Sequence, residues 1–153
     1  LLAQIGLKAL FMRHSEISAH FRDQADRLLA GDLNRISQEY AFPLPIHFPN
    51  DLAVAFNLED SSAILARRRA ELVARGVVAL RPSITAVDLP RAGRFRVWVD
   101  WKEQTGAGAE MRGSSAIYYC RAAATGLQTE MIQYTYVSPP GQGPQQDDLA
   151  LSA

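Results

Sequence analysis

Residues 94–102 read Arg94-Phe95-Arg96-Val97-Trp98-Val99-Asp100-Trp101-Lys102, and this alternation decides how the chain folds. Phe95, Val97, Val99 and Trp101 share one face of an extended strand, and Arg94, Arg96, Asp100 and Lys102 share the other. The first face is buried and the second is wet. Trp98 is the odd member of the wet face. A large aromatic among charges is covered by a partner or by the apolar stems of Arg96 and Lys102, so Trp98 is the candidate dimer contact.

The same period of two continues on both sides, from about Val77 to Leu89, Met111 to Ala122 and Gln128 to Val137. The connections Pro90-Arg91-Ala92-Gly93, Gly106-Ala107-Gly108 and Thr125-Gly126 are turns. Segments joined this tightly are antiparallel neighbours, because a parallel crossover needs a dozen or more residues. Together they form a meander. In its last segment Ile132, Tyr134 and Tyr136 are assigned inward, and Glu130 follows them by parity. In the segment before it, Arg121 belongs outside, which turns Tyr118 and Cys120 inward.

Upstream the period becomes 3.6. Ile17, Phe21, Ala25, Leu28 and Leu29 mark a helix from Ser15, its expected N-cap, to about Ala30, with Gly31 as the stop. Asp32 is expected to cap a shorter helix through Leu33, Ile36 and Tyr40, which ends before Pro43. Residues 43–56, PLPIHFPNDLAVAF, carry a turn at Pro49-Asn50-Asp51 between two short apolar runs. This predicts a hairpin whose proline-bearing strand lies at a sheet edge. A third helix is expected from Glu59 to Arg75, stopped by Gly76, with Ile64, Leu65, Leu72 and Val73 inward. Arg67, Arg68 and Arg69 spread around it, and Arg67 and Arg75 each fall four residues from Glu71. The run therefore reads as a solvated, salt-bridged face rather than an anion site.

The 153 residues suit one domain, and sixteen Lys plus Arg balance sixteen Asp plus Glu. A net charge of zero gives no electrostatic footprint for nucleic acid or an anionic membrane. Cys120 is the single cysteine, which leaves no disulfide framework and points to a reducing, cytoplasmic setting. Residues 1–14 read as a helical extension too short and too interrupted for a membrane span. Residues 138–153 read as a flexible tail, which leaves 15–137 as the domain.

Helix, short helix, edge hairpin, helix and meander make an α+β chain, and a curved sheet wrapped on three helices leaves a conical pocket. Leu29-Ala30-Gly31-Asp32-Leu33-Asn34-Arg35-Ile36, followed by Tyr40-Ala41, resembles the AGDLxxIxxxYA signature of the nuclear transport factor 2-like superfamily, in its ketosteroid isomerase and polyketide cyclase-like branch. The resemblance covers residues 15–137. It implies a cone-shaped mixed sheet, an apolar cavity and a homodimer. The isomerases of that branch use an aspartate base before a proline, a tyrosine and a protonated acid. Counted from Ala30-Gly31-Asp32-Leu33, the base position falls on Phe48, before Pro49, and the tyrosine position on Gln24. Counted back from Gly126, the acid falls near Tyr118.

Other chemistry is sparse. His14 and His20 lie six residues apart on different helix faces, and no metal-ligand spacing, nucleophile motif or cofactor fingerprint occurs, so no metal or cofactor is expected. His47 adjoins the family's base position, but strand alternation turns it from the side of Phe48. Cys120 has no neighbour to activate it and reads as a buried thiol. Glu130, if inward, enters a tyrosine-lined hollow, where desolvation makes a usable base.

The pocket candidates are thus Gln24, Tyr40, His47, Phe48, Trp101, Tyr118, Glu130 and Tyr134, with no catalytic set among them. The first expectation is a protein that binds a small apolar molecule and lacks the isomerase residues. The second is an enzyme acting on a cyclic or polyketide-like ketone, with Glu130 or His47 as base. The third is an interaction module using the outer sheet face around Trp98.

Overall fold

The computed structural model describes residues 12–138, so the expected extension over 1–14 and tail over 138–153 lie almost entirely outside the described residues. The described elements are α1 (His14–Ala30), α2 (Leu33–Ser37), β1 (Leu44–Phe48), β2 (Asp51–Ala55), α3 (Leu58–Ala74), β3 (Val77–Val87), β4 (Arg94–Thr105), β5 (Glu110–Ala123) and β6 (Gly126–Tyr136). The chain is α+β, as the two periods predict.

Local chemistry sets the helix ends. Gly31 takes a left-handed φ of 82° after α1, and its N–H bonds to the carbonyl of Leu28 while that of Asp32 bonds to Arg27. The start differs from expectation: Arg13, not Ser15, holds the cap position of α1, with no side-chain bond. Asp32 stands at the cap of α2, but its side chain makes no cap bond either. At α3 the cap is full. Asn57 Oδ1 accepts from the Asp60 amide at 2.9 Å, and the Asp60 carboxylate accepts from the Phe56 amide at 2.9 Å.

The six strands run in the order β2-β1-β6-β5-β4-β3, so the sheet has two free edges and does not close. β3 to β6 form the antiparallel meander, and β1 joins it parallel to β6 through Ile46 with Ile132 and His47 with Gln133. The outermost strand is therefore β2, not the proline-bearing β1. Pro45 pairs with Val54 of β2 and stands outside the two-residue contact with β6. A missing N–H is tolerated there.

The register of the meander shifts at several points, and two of these bulges bear on the site. Asp100 faces Ser115 and Lys102 faces Arg112, so β5 holds one residue more than β4. Gly113 sits there, and a Cβ on it would overlap the carbonyl oxygen of Trp101. The second bulge lies in β6, where Cys120 faces Thr129 but Tyr119 faces Met131, leaving Glu130 as the extra residue. This corrects the parity of Glu130. Leu127, Thr129 and Ile132 are buried, and the Glu130 side chain turns outward to Arg94 at 3.1 Å and Arg121 at 3.4 Å.

The helices cover the face that carries Phe95, Val97, Val99, Trp101, Tyr118 and Cys120, all buried as the alternation requires. On α3 the inner stripe is narrower than expected. Leu72 is fully buried, Ile64 and Leu65 pack against the core, and Val73 is 51 % exposed because it lies one residue, about 100°, around the helix. Arg75 does not pair with Glu71. It reaches Glu103 through two bonds of 2.5 and 3.2 Å, and Glu103, the inward residue after Trp101, is fully buried.

Candidate functional site

Between α1, α3 and the inner sheet face lies a cavity of about 40 Å³, lined among others by Gln24, Tyr40, Arg68, Trp101, Tyr118 and Tyr134. A volume of this size holds roughly three waters. Leu28, Ile36, Leu65 and Ile132 supply its apolar wall.

Each polar side chain is fixed by its element. Gln24 lies one turn from Phe21 on the buried stripe of α1, where Nε2 reaches His20 Nε2 at 3.1 Å and Glu39 Oε2 at 3.3 Å. Glu39 in turn accepts from Arg27 at 2.8 Å. Tyr40 follows α2 and is held against β6, because the Ala41 amide bonds to the Thr129 carbonyl at 2.8 Å and the Thr129 amide to the Glu39 carbonyl at 2.9 Å. Trp101 of β4 donates its indole N–H to the Tyr118 hydroxyl at 2.9 Å, and the Phe21 ring packs on Tyr118 with centroids 4.7 Å apart. Phe48 stands at the rim and stacks parallel on Tyr134 at 5.2 Å.

Arg68 was not among the residues anticipated from the sequence. It sits on the inner stripe of α3 with Ser61, Leu65 and Leu72, and its guanidinium lies over the Tyr134 ring, 5.6 Å from the centroid. The other two arginines of the run point elsewhere: Arg67 is 3.8 Å from Glu71, and Arg69 donates to the Leu29 carbonyl at 3.1 Å. The spacing 61, 65, 68 and 72 is an ordinary helical stripe, so the signal was present in the sequence. It was masked by the adjacent charges.

Five of the anticipated residues, Gln24, Tyr40, Trp101, Tyr118 and Tyr134, thus meet around one cavity, with Phe48 behind Tyr134. Two do not. His47 is exposed, paired with Leu52 and Gln133, and strand alternation turns it away from the core. Glu130 sits on the outer surface between two arginines. Trp98 is half-buried on the outer face, beneath the Arg96 guanidinium at 4.8 Å.

Burial governs the electrostatics. It holds the hydroxyls of Tyr40 and Tyr118 well above the ordinary phenol range, so both stay protonated. Burial opposes the Arg68 charge, but the Tyr134 and Tyr118 hydroxyls and the Glu103 and Glu71 carboxylates outweigh it, and the net shift is upward. The Cys120 thiol is pushed up to about 12 by burial. Among the described residues no Asp, Glu or His lines the cavity, and no group of three or more His, Cys, Asp or Glu could hold a metal ion. No helix among them is long and apolar enough to cross a membrane.

No family model and no curated protein matches the chain in sequence. Solved structures do match in shape. An NTF2-like protein with a cystatin-like fold from Novosphingobium aromaticivorans superposes with a TM-score of 0.62 at 14% identity, over 86% of each chain. Aln2 from a Streptomyces species gives 0.61 at 10% identity, covering 91% of this chain and 94% of its own. ActVI-ORFA from Streptomyces coelicolor gives 0.60 at 14%, covering 82% and 95%. Identities this low speak for architecture alone. On strand order, helix placement and these superpositions, the chain has the nuclear transport factor 2-like fold.

Proposed function

We propose that this protein binds a small organic molecule in the cavity between α1, α3 and the sheet, and that it does so without the isomerase chemistry of the branch its sequence resembles. The observation that carries this reading is an imbalance of hydrogen-bonding groups. Among the described residues the hydroxyls of Tyr40, Tyr118 and Tyr134 donate to no acceptor, although all three line one apolar hollow. Tyr40 and Tyr118 are buried and Tyr134 half-buried, and a hollow lined by three such hydroxyls suits an acceptor-bearing guest.

The lining also argues against proton abstraction from carbon. By the count from Ala30-Gly31-Asp32-Leu33, the resemblance puts Phe48 at the base position and Gln24 at the tyrosine position, and both His47 and Glu130 face outward. A ketone in this cavity meets hydrogen-bond donors and no base. The outer face around Trp98 remains the candidate surface for a homodimer, which sedimentation equilibrium of the wild-type and Trp98→Arg chains tests.

Ligand-observed nuclear magnetic resonance with a library of small ketones, phenols and acids tests the binding reading. Binders are expected whose signal is lost in Leu65→Trp, where the larger ring fills the cavity from its half-buried rim. Binders that ignore that substitution, or none at all, sink the reading. Turnover of any bound ketone would instead restore the enzymatic alternative.

A further inference from the structure

One cation of the cavity wall, Arg68, has no direct partner among the described residues. Arg75 is paired with Glu103, Arg27 with Glu39, Arg96 with Asp88, and Arg94 and Arg121 with Glu130. Arg67 faces Glu71 and Arg69 a backbone carbonyl. Arg68 alone of the α3 run enters the cavity, and among the described residues it has neither an ion-pair nor a hydrogen-bond partner. Half-buried over the Tyr134 ring, its guanidinium donors are free to take an acceptor.

We infer that Arg68 receives the carboxylate of a small organic monocarboxylic acid, with the Tyr40, Tyr118 and Tyr134 hydroxyls as further donors to it. The inference rests on the cavity being a ligand site, and adds the chemical class of the ligand. The guanidinium fork matches a carboxylate in two parallel bonds, which a lone ammonium could not make. One positive charge and no acid in the lining call for one negative charge. A phosphate dianion would leave surplus charge in an apolar hollow. Leu65 and Ile132 lie beside these donors and suit a hydrocarbon remainder. A space that takes roughly three waters suits a two- or three-carbon acid such as acetate or propionate. Arg68 and Tyr134 are both half-buried, so the guest enters past them.

The test is isothermal titration calorimetry of the full chain with sodium acetate, propionate, butyrate and benzoate at fixed ionic strength. Sodium chloride, inorganic phosphate, propionamide and neutral cyclohexanone are the comparisons. At least one monocarboxylate is expected to bind saturably and to displace its amide counterpart. Arg68→Gln should weaken that acid roughly ten- to hundredfold while Arg68→Lys keeps part of the affinity. Near-ultraviolet circular dichroism establishes that both variants keep the native packing. If Arg68→Gln does not fold, Arg68→Lys carries the test, with a several-fold loss for the acid and none for cyclohexanone. Equal acid affinity in wild type and Arg68→Gln overturns the inference, as does phosphate binding as well as any acid. Wild-type chain that takes no acid, beside an Arg68→Gln chain that melts higher, shows Arg68 to be a packing element and overturns it too. Cyclohexanone binding with no acid binding removes the carboxylate alone, whereas binding of neither removes the ligand site itself.

Discussion

Glu103 and Arg75 form the pair on which most depends at the scale of single residues. The Glu103 carboxylate is fully buried, and the Arg75 side chain that meets it is one-quarter exposed. Removing one member of such a pair leaves the other charge uncompensated in the interior. Arg75→Met should therefore cost about 3–5 kcal/mol. The double change Arg75→Met with Glu103→Leu should recover most of it, because a buried pair is worth little over well-packed hydrocarbon. Urea unfolding of the single and double variants checks this, and a double variant as weak as the single would refute it. Glu103 was legible in part, since it continues the inward set Phe95, Val97, Val99 and Trp101 by one more step. Its partner was not, because a strand's parity says nothing about a helix end 28 residues earlier. Arg68 is hidden for the opposite reason: its helical spacing is readable, but its charge argues for solvent, and the cavity wall it joins is assembled from elements far apart in sequence.

Elements were read well where one period ran uninterrupted and poorly where it broke. The meander, the stop at Gly31 and the buried face of β4 follow directly from alternation and capping chemistry. The bulge at Glu130 does not, because a single inserted residue leaves the residues on either side of it alternating and merely reverses one run against the other. A reader of the sequence has no mark for it. The bulge in β5 does carry a mark, Gly113, where the Trp101 backbone comes too close for any side chain. Gly113→Ala should force β4 and β5 apart at that point, at a cost of about 1–3 kcal/mol. Hydrogen exchange would register it as faster exchange of amides around Trp101 and Gly113, with the α1 amides little changed. Uniform acceleration through the molecule, or none, would count against a local clash.

For the whole molecule, the titration of its buried groups sets the pH range in which it is stable. Burial lowers the pKa of His20 below its ordinary 6.5, against the pull of the Glu39 carboxylate and with some help from the Arg27 charge. As the pH falls through 6.5 the unfolded chain takes up this proton before the folded chain does. His20 therefore contributes its stability in full above 6.5 and loses it as the pH falls below that point, by up to about 1.4 kcal/mol per pH unit. Tyr40 and Tyr118 act at the other end. Their folded values lie above the ordinary 10.0, so their contribution is complete below pH 10 and is lost as the unfolded chain ionises above it. Urea unfolding at stepped pH should show a plateau between these limits with a fall on either side. His20→Gln should flatten the fall between pH 6.5 and about 5, before the carboxylates begin to titrate, and leave the alkaline limb unchanged. On that limb, phenolate absorbance from Tyr40 and Tyr118 should appear only together with loss of native circular dichroism. An acid limb that survives His20→Gln would reassign it to another group. Phenolate signal from all five tyrosines in the folded chain would mean that the cavity hydroxyls meet bulk water, and the desolvated hollow on which ligand recognition depends would be absent.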